Sequence, residues 1–278
     1  MITMLRRSAF LLLAIPLCAS QVVAQAAATP ETLEGKYFIG HRFGASALTL
    51  RADGTYSVES GDCTTEYLDS GTYVVSEGAL RLTILKYVAK RRGADREINL
   101  LDPNERKEFY GGGDAGREIS REFSLLPVAW SERTYLIPEN DLDDFAGAIN
   151  LGLEPRAELS AEPFYGSFYL REGDEQKKVA GPPSLPERWL ALLLRKPVTA
   201  TIVSIEGDGP EKVATINKGS RAGLKVGVRL IGVDEEPTPW SVTEVSYVDG
   251  STAKVRVGPD SKVGDKLTTK YERKEPYQ

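Results

Sequence analysis

Two stretches of this chain alternate apolar and polar residues with a period of two, each broken by a tight-turn signal. In ALTLRADGTYSVES (47–60), Leu48 and Leu50 alternate with polar neighbours, and Ala52-Asp53-Gly54 separates two such runs. In SGTYVVSEGALRLTILKY (70–87), Leu80, Leu82 and Ile84 repeat the pattern after a turn near Glu77-Gly78. A period of two puts one residue set on one buried face of a strand. A short loop carrying Gly joins antiparallel neighbours. The two hairpins therefore predict three or four consecutive strands, an antiparallel meander. The plentiful Tyr, Thr and Val favour strands over helices throughout.

The rest of residues 30–175 extends this pattern. GKYFIG (35–40) reads as a further strand. Residues 88–118 break it with Lys90-Arg91-Arg92, a short helical stretch at 103–109 and Gly111-Gly112-Gly113. A polar excursion of that length is either functional or disordered. Strands resume at 118–130 and 132–138. A helix follows, with Asn140 or Asp141 as cap, Gly152 as stop, and Leu142, Phe145 and Ile149 on one face. One more strand, FYGSFYLR (164–171), precedes GDEQKKVAGPPSLP (173–186), whose charges and prolines read as a linker. A short helix at 187–196 is expected to dock between domains. Residues 198–272 hold six closely spaced strand-like pieces, the pattern of a small barrel or sandwich. Within them, INKGSRAGLKVGVRL (216–230) is read with Gly219, Gly223 and Gly227 at positive-φ turns and Leu224 and Val226 plugging the core.

The N-terminus carries an export pattern. Arg6 and Arg7 precede the apolar run AFLLLAIPL (9–17), and Ala24-Gln25-Ala26 gives the small-x-small motif of a signal peptidase site. The run falls short of the roughly 20 apolar residues that span a bilayer, and Pro16 interrupts it. Cys18 raises lipoprotein processing as an alternative, but Leu17 is not the small residue that processing needs. Residues 1–26 are thus expected to be a signal peptide cleaved after Ala26, leaving a periplasmic or secreted chain that does not span the membrane. Cleavage removes two positive charges and no acid, so the formal charge of −5 becomes about −7. That acidity argues against nucleic-acid binding, which needs a basic face. Cys63 is then the only thiol. It could pair with another molecule, and burial as a small side chain is the expectation.

Two resemblances follow from these segments. The run LTLRADGTYSVES…SGTYVVSEGALRLTIL resembles the hairpins of lipocalin-like domains in bacterial envelope proteins, including the copper-response lipoprotein family. Those relatives carry an acylated cysteine and a CxxC motif. The CxxC is absent here, so metal or redox sensing is not implied. The piece INKGSRAGLKVGVRL…VTEVSYVDGSTAKVRV…VGDKL is similar to small β-barrels of flagellar and envelope assembly proteins. It implies protein or envelope association and no catalytic residue. The expected fold is mainly β: an antiparallel meander, lipocalin-like barrel or sandwich with one packed helix at 30–175, a linker and short helix at 176–197, and a second small β-barrel at 198–272.

Catalytic signatures are sparse. His41 is the only histidine, so a multi-histidine zinc site is excluded. As a serine-hydrolase base it would need a G-x-S-x-G elbow, and Gly44-Ala45-Ser46 lacks the second glycine. In YGGGDAGRE (110–118), Gly116 is followed by Arg117 and Glu118 rather than the Lys and hydroxyl of a phosphate loop. Glu139, Asp141, Asp143 and Asp144 lack the central Gly of a calcium loop and suit a helix N-terminus. With 40 acids, paired carboxylates for glycan hydrolysis remain open, but no spacing singles out a pair. Trp130, Tyr135, Tyr165 and Tyr169, beside Arg133, Arg156 and Arg171, either line a ligand site or fill a core and edge a sheet, and the core reading is preferred. No catalytic residue, metal or cofactor is assigned. The expected role is a noncatalytic envelope protein binding a protein partner or ligand. The alternatives are a carboxylate-dependent glycan hydrolase and a carrier of a small apolar ligand.

Overall fold

Strands β2 (Gly44–Leu50) and β3 (Thr55–Gly61) form the first expected hairpin, in a computed structural model that describes residues 30–41, 44–111, 119–153, 168–209, 212–235 and 241–271. The signal segment with Cys18 and Ala26 lies outside the described residues, as do Gly112, Gly113, Gly116, Arg117, Glu118, Arg156 and Tyr165. The hairpin turn depends on two side-chain features. Gly54 sits at φ +79°, and Asp53 Oδ1 accepts from the Thr55 amide at 2.9 Å and hydroxyl at 2.6 Å, the local bonding that favours Asp in turns. In the second hairpin, β4 (Thr65–Ser76) and β5 (Ala79–Arg91) meet through Glu77 and Gly78, at φ +54° and +78°. Two successive left-handed residues match the twist of the flanking strands. Between β3 and β4, Asp62 accepts from the Thr64 and Thr65 amides. Cys63 stands exposed at the tip of that turn. This corrects the expectation of a buried thiol, because so short a turn projects beyond the core.

The meander closes into a barrel. Strand β1 (Gly35–His41) pairs with β2 on one side and with β9 (Tyr169–Arg171) on the other. Strands β7 (Glu122–Trp130) and β8 (Arg133–Pro138) complete an eight-stranded antiparallel ring in the order β1-β2-β3-β4-β5-β7-β8-β9. A two-residue strand, β6 (Ile98–Asn99), joins only the far end of β5. The alternation read from the hairpins thus produces a barrel rather than a sandwich. One end is plugged: helix α1 (Pro30–Leu33) places Leu33 against Tyr37, Leu48, Leu50, Tyr56, Leu82 and Leu136. The Tyr37 hydroxyl donates to Leu33 O at 2.9 Å.

Beyond β5, the polar excursion contains helix α2 (Pro103–Tyr110), capped by Asp102 and ended by Gly111 at φ +66°. The expected helix after β8 is α3 (Leu142–Asn150). A single turn of 3-10 helix at Glu139–Asp141 leads into it, and Asp141 makes no side-chain cap bond. Gly152 at φ +79° ends it, with the Leu153 amide donating to Ala148 O at 2.9 Å. Phe145 packs edge-on against Trp130, Tyr135 and Phe168, so α3 covers the outer face of β7–β9.

Residues 174–194 are fastened along the β7–β8 hairpin. Asp174 Oδ2 accepts from the Thr134 amide, Ser131 and Ala180 exchange two hydrogen bonds, and Ser184 and Ala129 exchange two more. Trp130 Nε1 donates to Gly181 O at 2.9 Å. Helix α4 (Glu187–Leu190) then buries Trp189 in the α3 cluster.

The six strand-like pieces of the second region close as well. They are β10 (Thr199–Glu206), β11 (Val213–Ile216), β12 (Arg229–Gly232), β13 (Thr243–Val248), β14 (Ala253–Arg256) and β15 (Lys266–Thr268), ringed β10-β11-β14-β13-β12-β15. Leu224 and Val228 enter this core, whereas Val226 is 54% exposed. That corrects the expectation that Val226 plugs it: the turn ending at Gly227 points Val226 outward. Gly223 and Gly227 have the expected positive φ, but Gly219 has φ −137°. Gly219 is required for closeness instead, since a Cβ there would lie 2.4 Å from Asp249 O. The barrels touch through α3. Ile231, Val242 and Tyr271 join its cluster, Arg229 pairs with Asp144, and Asn150 bridges Leu192 O and the Leu194 amide. Among the described residues, no helix is long and apolar enough to cross a membrane.

Candidate functional site

The register of β1 to β5 sorts the inward side chains of the first barrel into rows. One row runs Gly35, Leu50, Tyr56, Gly71, Ile84. The next runs Tyr37, Leu48, Val58, Asp69, Tyr87, and the third Ile39, Ser46, Ser60, Tyr67, Ala89. Chemistry changes along this series. In the first row Leu50, Tyr56 and Ile84 are buried, and Leu50 and Tyr56 share a cluster with Leu33 of α1. On β3 to β5 the second and third rows carry Asp69, Tyr87, Ser60 and Tyr67, all only partly buried. These inward residues keep partial accessibility among the described residues, unlike the buried side chains nearer α1.

A bulge opens this end. Gly71 pairs with Ile84 and Ser70 with Lys86, leaving Leu85 as the extra residue on β5. The bulge turns the strand. Its first half pairs with β7, and its second half pairs with β6 instead. Gly71 is indispensable here, because a Cβ would lie 1.9 Å from Thr83 O. The bulge also shifts the alternation, which brings Tyr87 inward.

Asp69 is the acid of this region. Its Oδ1 accepts from the Tyr56 hydroxyl at 2.8 Å, its single hydrogen bond among the described residues. Burial pushes the carboxyl up to about 6, against the opposing effect of the Tyr56 bond. Tyr87 is raised to about 12, first by burial and then by Tyr110, Tyr67 and Asp69. Tyr169 is raised to about 12 by burial, with the Asp69 charge adding, while a hydrogen bond with Ser46 opposes. The Tyr67 and Tyr87 rings lie 6.4 Å apart at 33°. Tyr87 and Tyr169 stay neutral at physiological pH, so they offer hydroxyls and ring faces rather than a base or nucleophile. Hydrolysis of glycans by paired carboxyls needs a second acid facing the first across the bond. The shift of Asp69 has burial and Tyr56 as its causes, without a contribution from another carboxylate among the described residues.

Most residues singled out in the sequence have structural places. Trp130 and Tyr135 fill the α3 cluster. Arg133 is buried and donates to Lys177 O and Glu175 O, and Arg171 donates to Glu34 O and Thr32 O near α1. Glu139 and Asp141 form the 3-10 turn, and Asp143 and Asp144 the first turn of α3. His41 ends β1 opposite Gly44. Of the named aromatics among the described residues, Tyr169 alone reaches the polar lumen, where Ser46 of the Gly44-Ala45-Ser46 triplet meets it. Tyr56, Tyr67, Asp69 and Tyr87 escaped sequence reading. Their signal was the alternation Tyr67, Asp69, Gly71, Tyr73, which sets an acid in an aromatic row. A depression of about 890 Å³ on the second barrel, lined by Thr243, Glu244, Arg256 and Asp265 among others, is the competing cavity. It is an open, mixed-charge surface that sets no single group apart.

No family model matches the chain, and neither a curated protein nor a solved structure is similar to it. Its two closed antiparallel barrels are consistent with barrel domains and point to no particular family.

Proposed function

We propose that this is an exported, noncatalytic binding protein of the bacterial envelope. Its first barrel takes a small ligand at the open end of the lumen, and its second barrel holds that receptor beside other envelope components. The observation carrying this reading is that Tyr67, Asp69 and Tyr87 face inward and remain partly accessible among the described residues. An eight-stranded interior is wide enough to be filled by side chains or to hold one small molecule, and the up-and-down order supports the lipocalin-like resemblance. Because the apolar half is occupied by Tyr37, Leu48, Leu50 and Leu82, the space favours a ligand with a polar group over a wholly apolar one. Export rests on Arg6, Arg7, the run 9–17 and the site after Ala26. Envelope association rests on the resemblance of the second barrel.

Native mass spectrometry of the full chain, recovered from the exported fraction, tests the proposal. A small-molecule adduct is expected on the wild type and not on Ser60→Trp, which fills the lumen, with unchanged circular dichroism confirming the fold. Absence of any adduct, together with no thermal shift across a library of polar small molecules, would overturn it. So would turnover of a glycan substrate that a single acid substitution abolishes.

A further inference from the structure

We infer that the occupant of the lumen is a small organic cation, an amine or quaternary ammonium, seated against Asp69 and the rings of Tyr67, Tyr87 and Tyr169. This rests on the lumen being the ligand site and adds the chemical class.

Charge is the first support. Asp69 faces inward from β4, and its one hydrogen bond among the described residues comes from Tyr56. Among the described residues, no cation contributes to its titration. Four basic residues of the barrel are engaged elsewhere: Arg171 on Glu34 O and Thr32 O, Arg91 on Phe109 O, Lys86 with Glu97, and Arg81 with Glu77. A partly buried carboxylate with no counter-ion among the described residues repels anions and gains from an arriving cation, which offsets its desolvation.

The walls are the second support. Tyrosine ring faces carry negative quadrupole density and attract alkylammonium groups, as in aromatic cages. Tyr67 and Tyr87 adjoin Asp69 on β4 and β5 with rings 6.4 Å apart, and Tyr169 is close enough across the lumen to feel its charge. A bare metal ion suits the site poorly. Calcium takes six to eight oxygens, whereas the described residues hold no group of three or more His, Cys, Asp or Glu side chains placed to share an ion. Size is set by the plug, which leaves only the upper rows for the ligand.

Isothermal titration of the full chain with choline, and with its uncharged isostere 3,3-dimethylbutan-1-ol, tests the charge requirement. Choline is expected to bind, Asp69→Asn to weaken it at least tenfold, and the alcohol to bind at least tenfold more weakly than choline. Asp69→Asn removes a buried charge, so its fold should persist, and thermal unfolding checks this. Equal affinity for the two probes, or choline binding unchanged in Asp69→Asn, would overturn the cation assignment. If choline, putrescine and benzyltrimethylammonium all fail to bind, the cation assignment falls. The lumen reading survives that result only if the purified chain retains an adduct that Ser60→Trp loses.

Discussion

Asp69 on β4 and Tyr169 on β9 interact across the lumen of the first barrel, although four strand-to-strand steps separate them in either direction around the ring. In an eight-stranded closed sheet these strands are diametrically opposed. The charge of Asp69 therefore acts on Tyr169 across the interior, and it links an acid the chain keeps partly buried to the aromatic wall facing it.

Asp69 should make stability depend on pH. Burial raises its carboxyl to about 6, so the folded chain holds this proton more tightly than the unfolded chain, whose value is near 4. The group's favourable contribution is complete below about pH 4 and is lost as pH rises through about 6. Asp69→Asn removes that loss. Relative to the wild type, the variant should gain about 1 kcal/mol between pH 4 and pH 7.5, a figure reduced for the partial exposure of the group. Urea unfolding at both pH values measures it, and an identical difference at the two would contradict the burial of Asp69.

Gly71→Ala should be among the most damaging single-methyl additions. The new Cβ would meet Thr83 O at 1.9 Å, and two paired backbones cannot separate without breaking the β4–β5 ladder. A loss of about 3 kcal/mol is expected, whereas Gly78→Ala, with open space around its Cβ, should lose only about 1 kcal/mol from its positive φ. Similar losses for both would show that the bulge yields.

The hairpins, the second barrel and α3 were legible because they rest on local signals. Leu48 and Leu50 alternate, Glu77-Gly78 turns, and Leu142, Phe145 and Ile149 share a helical face. The proposed ligand site was not legible, because it rests on register. Simple alternation continued from Leu80, Leu82 and Ile84 points Tyr87 outward. The extra residue Leu85 reverses it, and only the pairing of β5 with β4 reveals that. Val226 and Gly219 were misread for a related reason. Which face of a turn is buried, and what passes within 3 Å of a glycine, are set by distant strands.

The barrels should be coupled through Asp144 and Arg229. Their ion pair is partly buried, and Glu244, Asp143 and Asp141 also act on Arg229. Arg229→Met should therefore destabilise more than Asp144→Asn, because it leaves several acids without their cation. A double-mutant cycle should return a coupling of about 1 kcal/mol. A coupling of zero would mean that the pair does not join the barrels.

Cys63 should react in the folded protein. It is exposed at the β3–β4 turn, so a maleimide should label it to completion without denaturant, with melting temperature unchanged. Labelling that requires unfolding would place the thiol in a core after all.

The lumen around Asp69 can be read directly from its side-chain carboxyl carbon by NMR, titrating the full chain from pH 3 to pH 9. A midpoint near 6 is expected, with Tyr56→Phe moving it upward, because the Tyr56 hydroxyl stabilises the ionised form. A midpoint near 4 that ignores Tyr56→Phe would put Asp69 in solvent outside the barrel and contradict a polar binding lumen.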